Sequence, residues 1–402
     1  MSLPRSRYGA HLSAEEVDEL VKPLPETIEL ITAWLEYHGI RSSSFSTTHN
    51  GGWLTVKDVL VSQANKLLGA SYQLYRNTKT NETVVRTVAY ALPAVLHAHI
   101  KTVAPTTYFA SKRVTQQTPR RRFRRAAAPS QTPSNVIPAI EPNLLRWMYN
   151  TEHYEPTAAD RNRLAVVGLQ DDFALQTDLA TFVNRIDPHA QGARFNLLQL
   201  NGALDTPNIP GVRGSTAVQY ATAMSFPTQV TFYNVAGNSE WDDGMPVAGD
   251  MFLEWFDYIN AEPSLPQTIS IAYGEDESYL PYDYADALCT RFMQLGNRGV
   301  SVLVSSGDSA VGEGTCLNSE GRVRFRPQFP ASCTCVVLSP LPSTRQLQVQ
   351  VAHQTSVVSQ VPGSLASAAL PLQALAGPSS RRGSPEAASR NTSRAQSTKI
   401  MR

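Results

Sequence analysis

The strongest constraint on how this chain folds is a rhythm between residues 141 and 337. Five apolar, β-branched runs stand there: LAVVGL (164–169), FNLLQL (195–200), QVTFYNV (229–235), TISIAY (268–273) and VSVLVSS (300–306). Helical patterns around 174–186, 214–224, 249–261 and 283–297 separate them. Strands spaced by helices require crossovers, which predicts βαβ units and a parallel α/β sheet covered on both faces. In such sheets functional groups gather beyond the carboxyl ends of the strands. Ser-Ser-Gly-Asp-Ser (305–309) lies at one of those ends, making Asp308 the first candidate for chemistry. A carboxyl beside Gly307 and Ser309 can approach a ligand, and partial desolvation would favour its protonated, acid form. The competing role is capping of the next turn, the commonest job of an Asp after a strand.

Residues 1–110 follow a different plan, a compact α+β unit. Ser13 and Glu16 have capping-box spacing ahead of Val17 and Leu20. Ile28, Ile31, Trp34, Leu35 and His38 recur at helical spacing and predict a second helix. WLTV (53–56) reads as a strand and VLVSQANKLLG (59–69) as a helix ending at Gly69. SYQLYR (71–76) and TVVRTVAYAL (83–92) read as strands of a hairpin across the polar turn NTKTNE.

Charge placement divides the two units. No acidic residue occurs between Glu82 and Glu141, and seven Lys or Arg stand between Lys112 and Arg125. With Pro, Ser and Ala following, 111–140 reads as an exposed linker. Only Phe123 interleaves as a base-stacking aromatic, so a processing segment is preferred to a nucleic-acid patch, with Lys112-Arg113 and Arg124-Arg125 as dibasic cleavage sites. The net charge of +1 agrees, giving no global attraction to nucleic acid or acidic lipid. Residues 338–402 hold one acidic residue, Glu386, and no Phe, Trp or Tyr. They are expected to be an unrelated, mostly disordered tail, because little apolar surface is available to offset ordering entropy. No apolar run is long enough to span a membrane, and MSLPRSRYGAHLS lacks the apolar stretch of a signal peptide. Cys289, Cys316, Cys333 and Cys335 allow three pairings in two disulfides, and buried thiols are an equal alternative. His97 and His99 lack nearby carboxylates, and no metal site is expected.

Several long motifs, in order, resemble the sedolisin family of serine-carboxyl peptidases, in particular its fungal tripeptidyl-peptidases. LPQTISIAYGEDESYLPYDYADALCTRFMQLGNRGVSVLVSSGDSAVGEGTC (265–316) and FRPQFPASC (325–333) resemble the catalytic domain. RYGAHLSAEEV (7–17), WLEYHGI (34–40), YRNTKTNETVVRTVAYALPAVLHAHI (75–100) and PTTYF (105–109) resemble the activation propeptide. LLRWMYNTEHYEPTAADRNRLAVVG (144–168) resembles the start of the mature enzyme. The resemblance implies a ferredoxin-like propeptide (1–110), a linker (111–140) and the N-terminal part of a subtilisin-like domain (141–337). It also implies peptide or unfolded-protein substrates, a monomer, no nucleic acid or membrane partner, and an extracellular, vacuolar or lysosomal location.

The family's mechanism uses a serine nucleophile, a glutamate base oriented by an aspartate, and a second aspartate lining the oxyanion hole. A carboxylate base suits acidic media, where imidazole would be protonated. The resemblance assigns the oxyanion position to Asp308, where a protonated carboxyl would donate to the developing negative oxygen. The family's Glu and Asp stand four apart just before an I/V-Q-Y triplet. Here Val218, Gln219 and Tyr220 set the register, so those positions carry Arg213 and Ala217. Arginine stays protonated and cannot take a proton from serine. No Glu or Asp occurs between Asp205 and Glu240 to replace them. The family's G-T-S-A-S nucleophile motif has no counterpart, since GSLASA (363–368) is too close to Asp308 and lies in Ser/Ala-rich sequence. The family's calcium site belongs to the same missing region, so no cofactor is expected. The expectation is therefore a catalytically degenerate homologue, with three readings: residual tripeptidyl-peptidase activity, a pseudopeptidase binding peptides or a related protease, or a product of a damaged gene. A sheet ending at its fifth strand would also leave an unpaired edge and poor solubility.

Overall fold

The computed structural model describes residues 9–48, 50–76, 83–109, 140–170, 172–203, 212–236, 250–307, 321–322, 327–339 and 398–401. The linker, the hairpin turn, Asp308 and Cys316 lie outside them.

The N-terminal unit begins with α1 (Ala14–Val21), whose capping box forms as predicted. Ser13 Oγ accepts from Glu16 N at 3.2 Å, and Glu16 Oε2 accepts from Ser13 N at 2.8 Å. Helix α2 (Pro25–Tyr37) buries Ile31, Trp34 and Leu35 but leaves Ile28 exposed, and His38 is its C-cap rather than part of its buried stripe. Strands β1 (Phe45–Thr47) and β2 (Trp53–Val56) pair antiparallel, followed by α3 (Val61–Leu67). Gly69 has φ +52, a left-handed conformation that suits glycine after a helix. Strands β3 (Gln73–Arg76) and β4 (Thr83–Arg86) form the predicted antiparallel pair. The second strand stops well short of residue 92: Thr87 turns its hydroxyl to Ala89 O at 2.7 Å, and the backbone leaves the ladder. A further strand, β5 (Thr102–Ala104), was not foreseen.

The second unit opens with α4 (Pro142–Met148), then strand β6 (Arg163–Leu169), helix α5 (Gln176–Arg185) and strand β7 (Phe195–Leu200). Helix α6 (Val212–Ser225), strand β8 (Gln229–Val235), helix α7 (Met251–Ala261) and strand β9 (Thr268–Ile271) continue the alternation. Short β10 (Glu275–Asp276), helix α8 (Tyr282–Asn297), β11 (Ser301–Ser305), short β12 (Gln328–Phe329) and β13 (Val337–Ser339) follow. The sheet runs β13-β11-β9-β6-β8-β7, every adjacent pair parallel. All five predicted strands are present. The sixth, β13, pairs with β11 and carries the sheet past the expected boundary at 337, so the β11 edge is covered. Three residues are too short a run to show a period, which is why the pattern missed them.

Alternation along the strands builds the two layers. Ala165, Val167 and Leu169 of β6 join one core with α7 and α8, while Val166 joins another with α5 and α6. Phe232 and Tyr233 of β8 divide in the same way. Trp53, Ala104 and Tyr108 of the N-terminal unit belong to the α7–α8 core, so the two units share apolar packing.

Strand β14 (Thr398–Met401) lies near the end of the chain. It pairs antiparallel with both β2 and β5, giving the four-stranded order β1-β2-β14-β5. Of the cysteines, Cys289 and Cys333 are bonded, with Cα atoms 5.3 Å apart, and Cys335 is a free thiol. Burial is the main cause raising that thiol's pKa to about 11.

Candidate active site

The sheet's topology places the site. From β6 the chain winds through β7 and back through β8, then crosses to β9 on the other side of β6. The crevice between the carboxyl ends of β6 and β9 is therefore the switch point where such sheets bind ligands. Gln170, in the left-handed region at φ +64, follows β6 directly and spans that crevice. Its Nε2 donates to Tyr273 Oη, beyond β9, at 3.3 Å.

Helix α6 approaches the same edge with its N-terminus. A Cβ at Gly214 would stand 2.7 Å from Phe173 O and 2.9 Å from Asp172 O, so only glycine lets the helix pack on the segment leaving β6. Gly168 is under the same constraint, 2.5 Å from Phe232 Cζ. Arg213 and Ala217 both belong to α6, four residues apart and hence on one face. Ala217 is half-buried against the α5–α6 core, where its methyl makes an apolar contact and offers no polar atom. The register that assigned these positions has structural roles of its own. Val218 is buried, and Tyr220 Oη donates to Ile140 O at 2.6 Å. Gln219 lines a cavity of about 290 Å³ with Asp178 and Arg185. Within the first turn, Ser215 Oγ donates to Asp178 Oδ2 at 3.2 Å, tying α6 to α5.

Two strands away, β11 ends at Ser305 and the chain turns at Gly307, φ +95, immediately before Asp308. Gln328 packs against that turn, its Cγ 3.5 Å from where a Gly307 Cβ would be. Asp308 itself lies outside the described residues, as do Lys112, Arg113, Arg124 and Arg125. The structure thus brings the α6 helix, the end of β6 and the approach to Asp308 to one edge of the sheet.

What sequence reasoning missed is the polar network that closes this edge from the N-terminal side. Tyr108 Oη donates to Glu275 Oε1 at 2.5 Å, and Tyr273 Oη reaches the same oxygen at 3.4 Å. Tyr284 stacks on Tyr108 with ring centroids 5.1 Å apart and donates to Asp250 Oδ2 at 2.6 Å. The other oxygen of Asp250 caps α7, accepting from Phe252 N and Leu253 N at 3.0 Å each. Burial, followed by the neighbouring carboxylates Glu275 and Asp250 respectively, holds the Tyr108 and Tyr284 phenols well above the usual tyrosine range. Arg86 Nε donates to Tyr108 O at 2.7 Å, and burial is the main cause pulling its guanidinium below the ordinary arginine value. The network spans residues 86 to 284, and the motif AYGEDESYL around Glu275 gives no periodic sign that this carboxylate is buried.

Among the described residues no three His, Cys, Asp or Glu side chains converge to hold a metal. No helix among them is long and apolar enough to cross a membrane.

Residues 1–109 match the family of the pro-kumamolisin activation domain. The tripeptidyl-peptidase SED2 of Arthroderma otae is 30% identical over 348 residues, covering 83% of this chain and 58% of the relative. The tripeptidyl-peptidase SED4 of the same fungus is 30% identical over 357 residues, covering 86% and 58%. Pseudomonas sedolisin (serine-carboxyl proteinase), solved with two molecules of pseudo-iodotyrostatin, aligns at 17% identity with a TM-score of 0.34, covering 49% of this chain and 52% of that one. The chain spans less than two thirds of the length of the fungal relatives it matches. Residues 1–109 thus belong to the pro-kumamolisin activation-domain family, and most of the chain is similar to the fungal tripeptidyl-peptidases.

Proposed function

We propose that this chain is a sedolisin-type peptide-binding protein that does not hydrolyse peptides by the family's mechanism. What supports the reading is α6, where the resemblance puts Arg213 and Ala217 in the positions of the paired carboxylates. A general base must accept the nucleophile's proton, and a guanidinium holds its own proton at any working pH. Ala217 has no group with which to orient a partner. Removing one member of a cooperative triad lowers turnover by several orders of magnitude, so two substitutions in this chain leave little to accelerate. Asp308 retains the oxyanion role by resemblance, which is a contact to a bound carbonyl and not a proton acceptor. The crevice at the β6–β9 switch point, covered by the activation domain, is the proposed place for an extended peptide. Secretion would follow from kinship with the fungal tripeptidyl-peptidases.

Turnover of a fluorogenic tripeptide-releasing substrate by the purified chain at acidic pH tests the reading. The expected result is no release above the uncatalysed background, with and without Asp308→Ala. Turnover that Asp308→Ala abolishes would overturn it in favour of residual peptidase activity.

A further inference from the structure

We infer that the gap between β2 and β5 is a strand-binding slot and that its resident ligand is the chain's own segment Thr398–Met401. The two walls of the slot do not meet. Strand β2 spends one edge on β1, and β5 pairs with no described strand other than β14. Without an occupant, β5 would be detached from its sheet. Both walls are deeply placed: Trp53, Leu54, Val56 and Val103 are each 1% exposed or less, and Thr102 and Ala104 are buried as well. With β14 in place these facing edges are paired, and a buried backbone N–H or C=O left unpaired is costly. An extended segment answers both edges at once. Lys399, Ile400 and Met401 stand opposite Thr55, Leu54 and Trp53 on one side and Ala104, Val103 and Thr102 on the other. The recognition is main-chain strand addition, which any extended peptide of suitable shape can satisfy.

The choice of this occupant is also physically accessible. Residues 340–397 separate β13 from β14, enough chain to reach roughly 190 Å when extended. Occupancy has a consequence beyond the sheet, because β5 leads directly into the segment ending at Tyr108. Thr106 Oγ1 donates back to Val103 O at 2.6 Å, so the strand and the segment move as one piece. A filled slot therefore holds Tyr108 against Glu275 at the carboxyl edge of the parallel sheet.

Cross-linking in a Cys335→Ser background tests the pairing. Thr55→Cys with Lys399→Cys places two thiols on directly opposed residues, whereas Thr55→Cys with Met401→Cys sets them two residues out of register. Under mild oxidation of dilute protein, the first pair is expected to give an intramolecular link, mapped by mass spectrometry, in about tenfold higher yield. Equal yields, no link, or a link only between two chains would overturn the inference. The Ile400→Pro variant supplies a second measurement, since proline cannot donate to the ladder. Amide exchange over Thr102–Tyr108 should quicken about tenfold or more and return toward the parent rate when a synthetic peptide of residues 395–402 is added. Unchanged exchange in the variant would likewise overturn it.

Discussion

The two largest sheets among the described residues are closed by different means. In the six-stranded sheet the helices α5, α6, α7 and α8 connect the five strands from β6 to β11 in turn, and all six strands come from residues 163–339. In the N-terminal sheet the third of four strands comes from residues 398–401, some three hundred positions after its partners. Local closure leaves a periodic record in the sequence, because each strand and helix must bury its own face. Remote closure leaves almost none, because four residues filling a gap need only be extended. The joint between the sheets is intermediate: a core shared by Trp53, Ala104 and Tyr108 with α7 and α8, edged by charged and hydroxyl groups.

The sharpest way to break this comparison is to attack the shared core. Phe256 is fully buried in α7, against Trp255 at 4.8 Å and Phe292 at 4.7 Å between ring centroids. Phe256→Ala should remove about 3–5 kcal/mol from unfolding measured by urea titration. If the units are as joined as their packing suggests, tryptophan fluorescence and far-ultraviolet dichroism shift together. Two separate transitions, with the N-terminal one unmoved, would show that the shared packing carries little energy.

Legibility in the sequence follows the same division. Every strand of the parallel sheet with five or more residues, or with a continuous apolar run around it, could be read from its β-branched residues. Strand β13 could not, nor could β5, whose TVA is shorter than any repeat. The capping box of α1 was legible because Ser13 and Glu16 are three apart and need no tertiary partner. For the site, the Val218-Gln219-Tyr220 register rests on resemblance, and Arg213 and Ala217 fall on helix α6. Glu275 was illegible for the opposite reason. In AYGEDESYL it reads as one of several solvated acids, and its bond to Tyr108, 167 residues away, is invisible in the local sequence. The Cys289–Cys333 bond was one of several pairings that four cysteines allow, and spacing could not select it.

A smaller perturbation sharpens the account of the joint. Tyr108→Phe deletes the hydroxyl that donates to Glu275 and leaves the carboxylate buried, so about 1–3 kcal/mol should be lost at neutral pH. The phenols of Tyr108 and Tyr284 also predict an alkaline limit. Their folded pKa values are raised, so the unfolded chain ionises them first. Neither affects stability below pH ~10; above it the unfolded state gains by losing protons and stability falls. A double variant, Tyr108→Phe with Tyr284→Phe, should lessen the slope of stability against pH from about pH 10 upward. An unchanged slope would mean that these rings are reached by solvent.

The least effect is expected at the rim of the joint, where Lys101 of the N-terminal unit pairs with Asp286 of α8. Both side chains keep about a third or more of their surface in water, at 34% and 43% exposure. Water already solvates most of each charge, and holding two long side chains in one geometry opposes the Coulomb gain. Lys101→Ala should therefore cost no more than about 0.2–1 kcal/mol, a loss that 0.5 M salt largely erases in the parent protein by screening. A cost comparable with that of Tyr108→Phe would locate the joint's energy in its charged rim and not in its buried centre. The contrast between the two variants is informative because both touch the same pair of elements, the segment 101–108 and the region around α8, and differ chiefly in access to water.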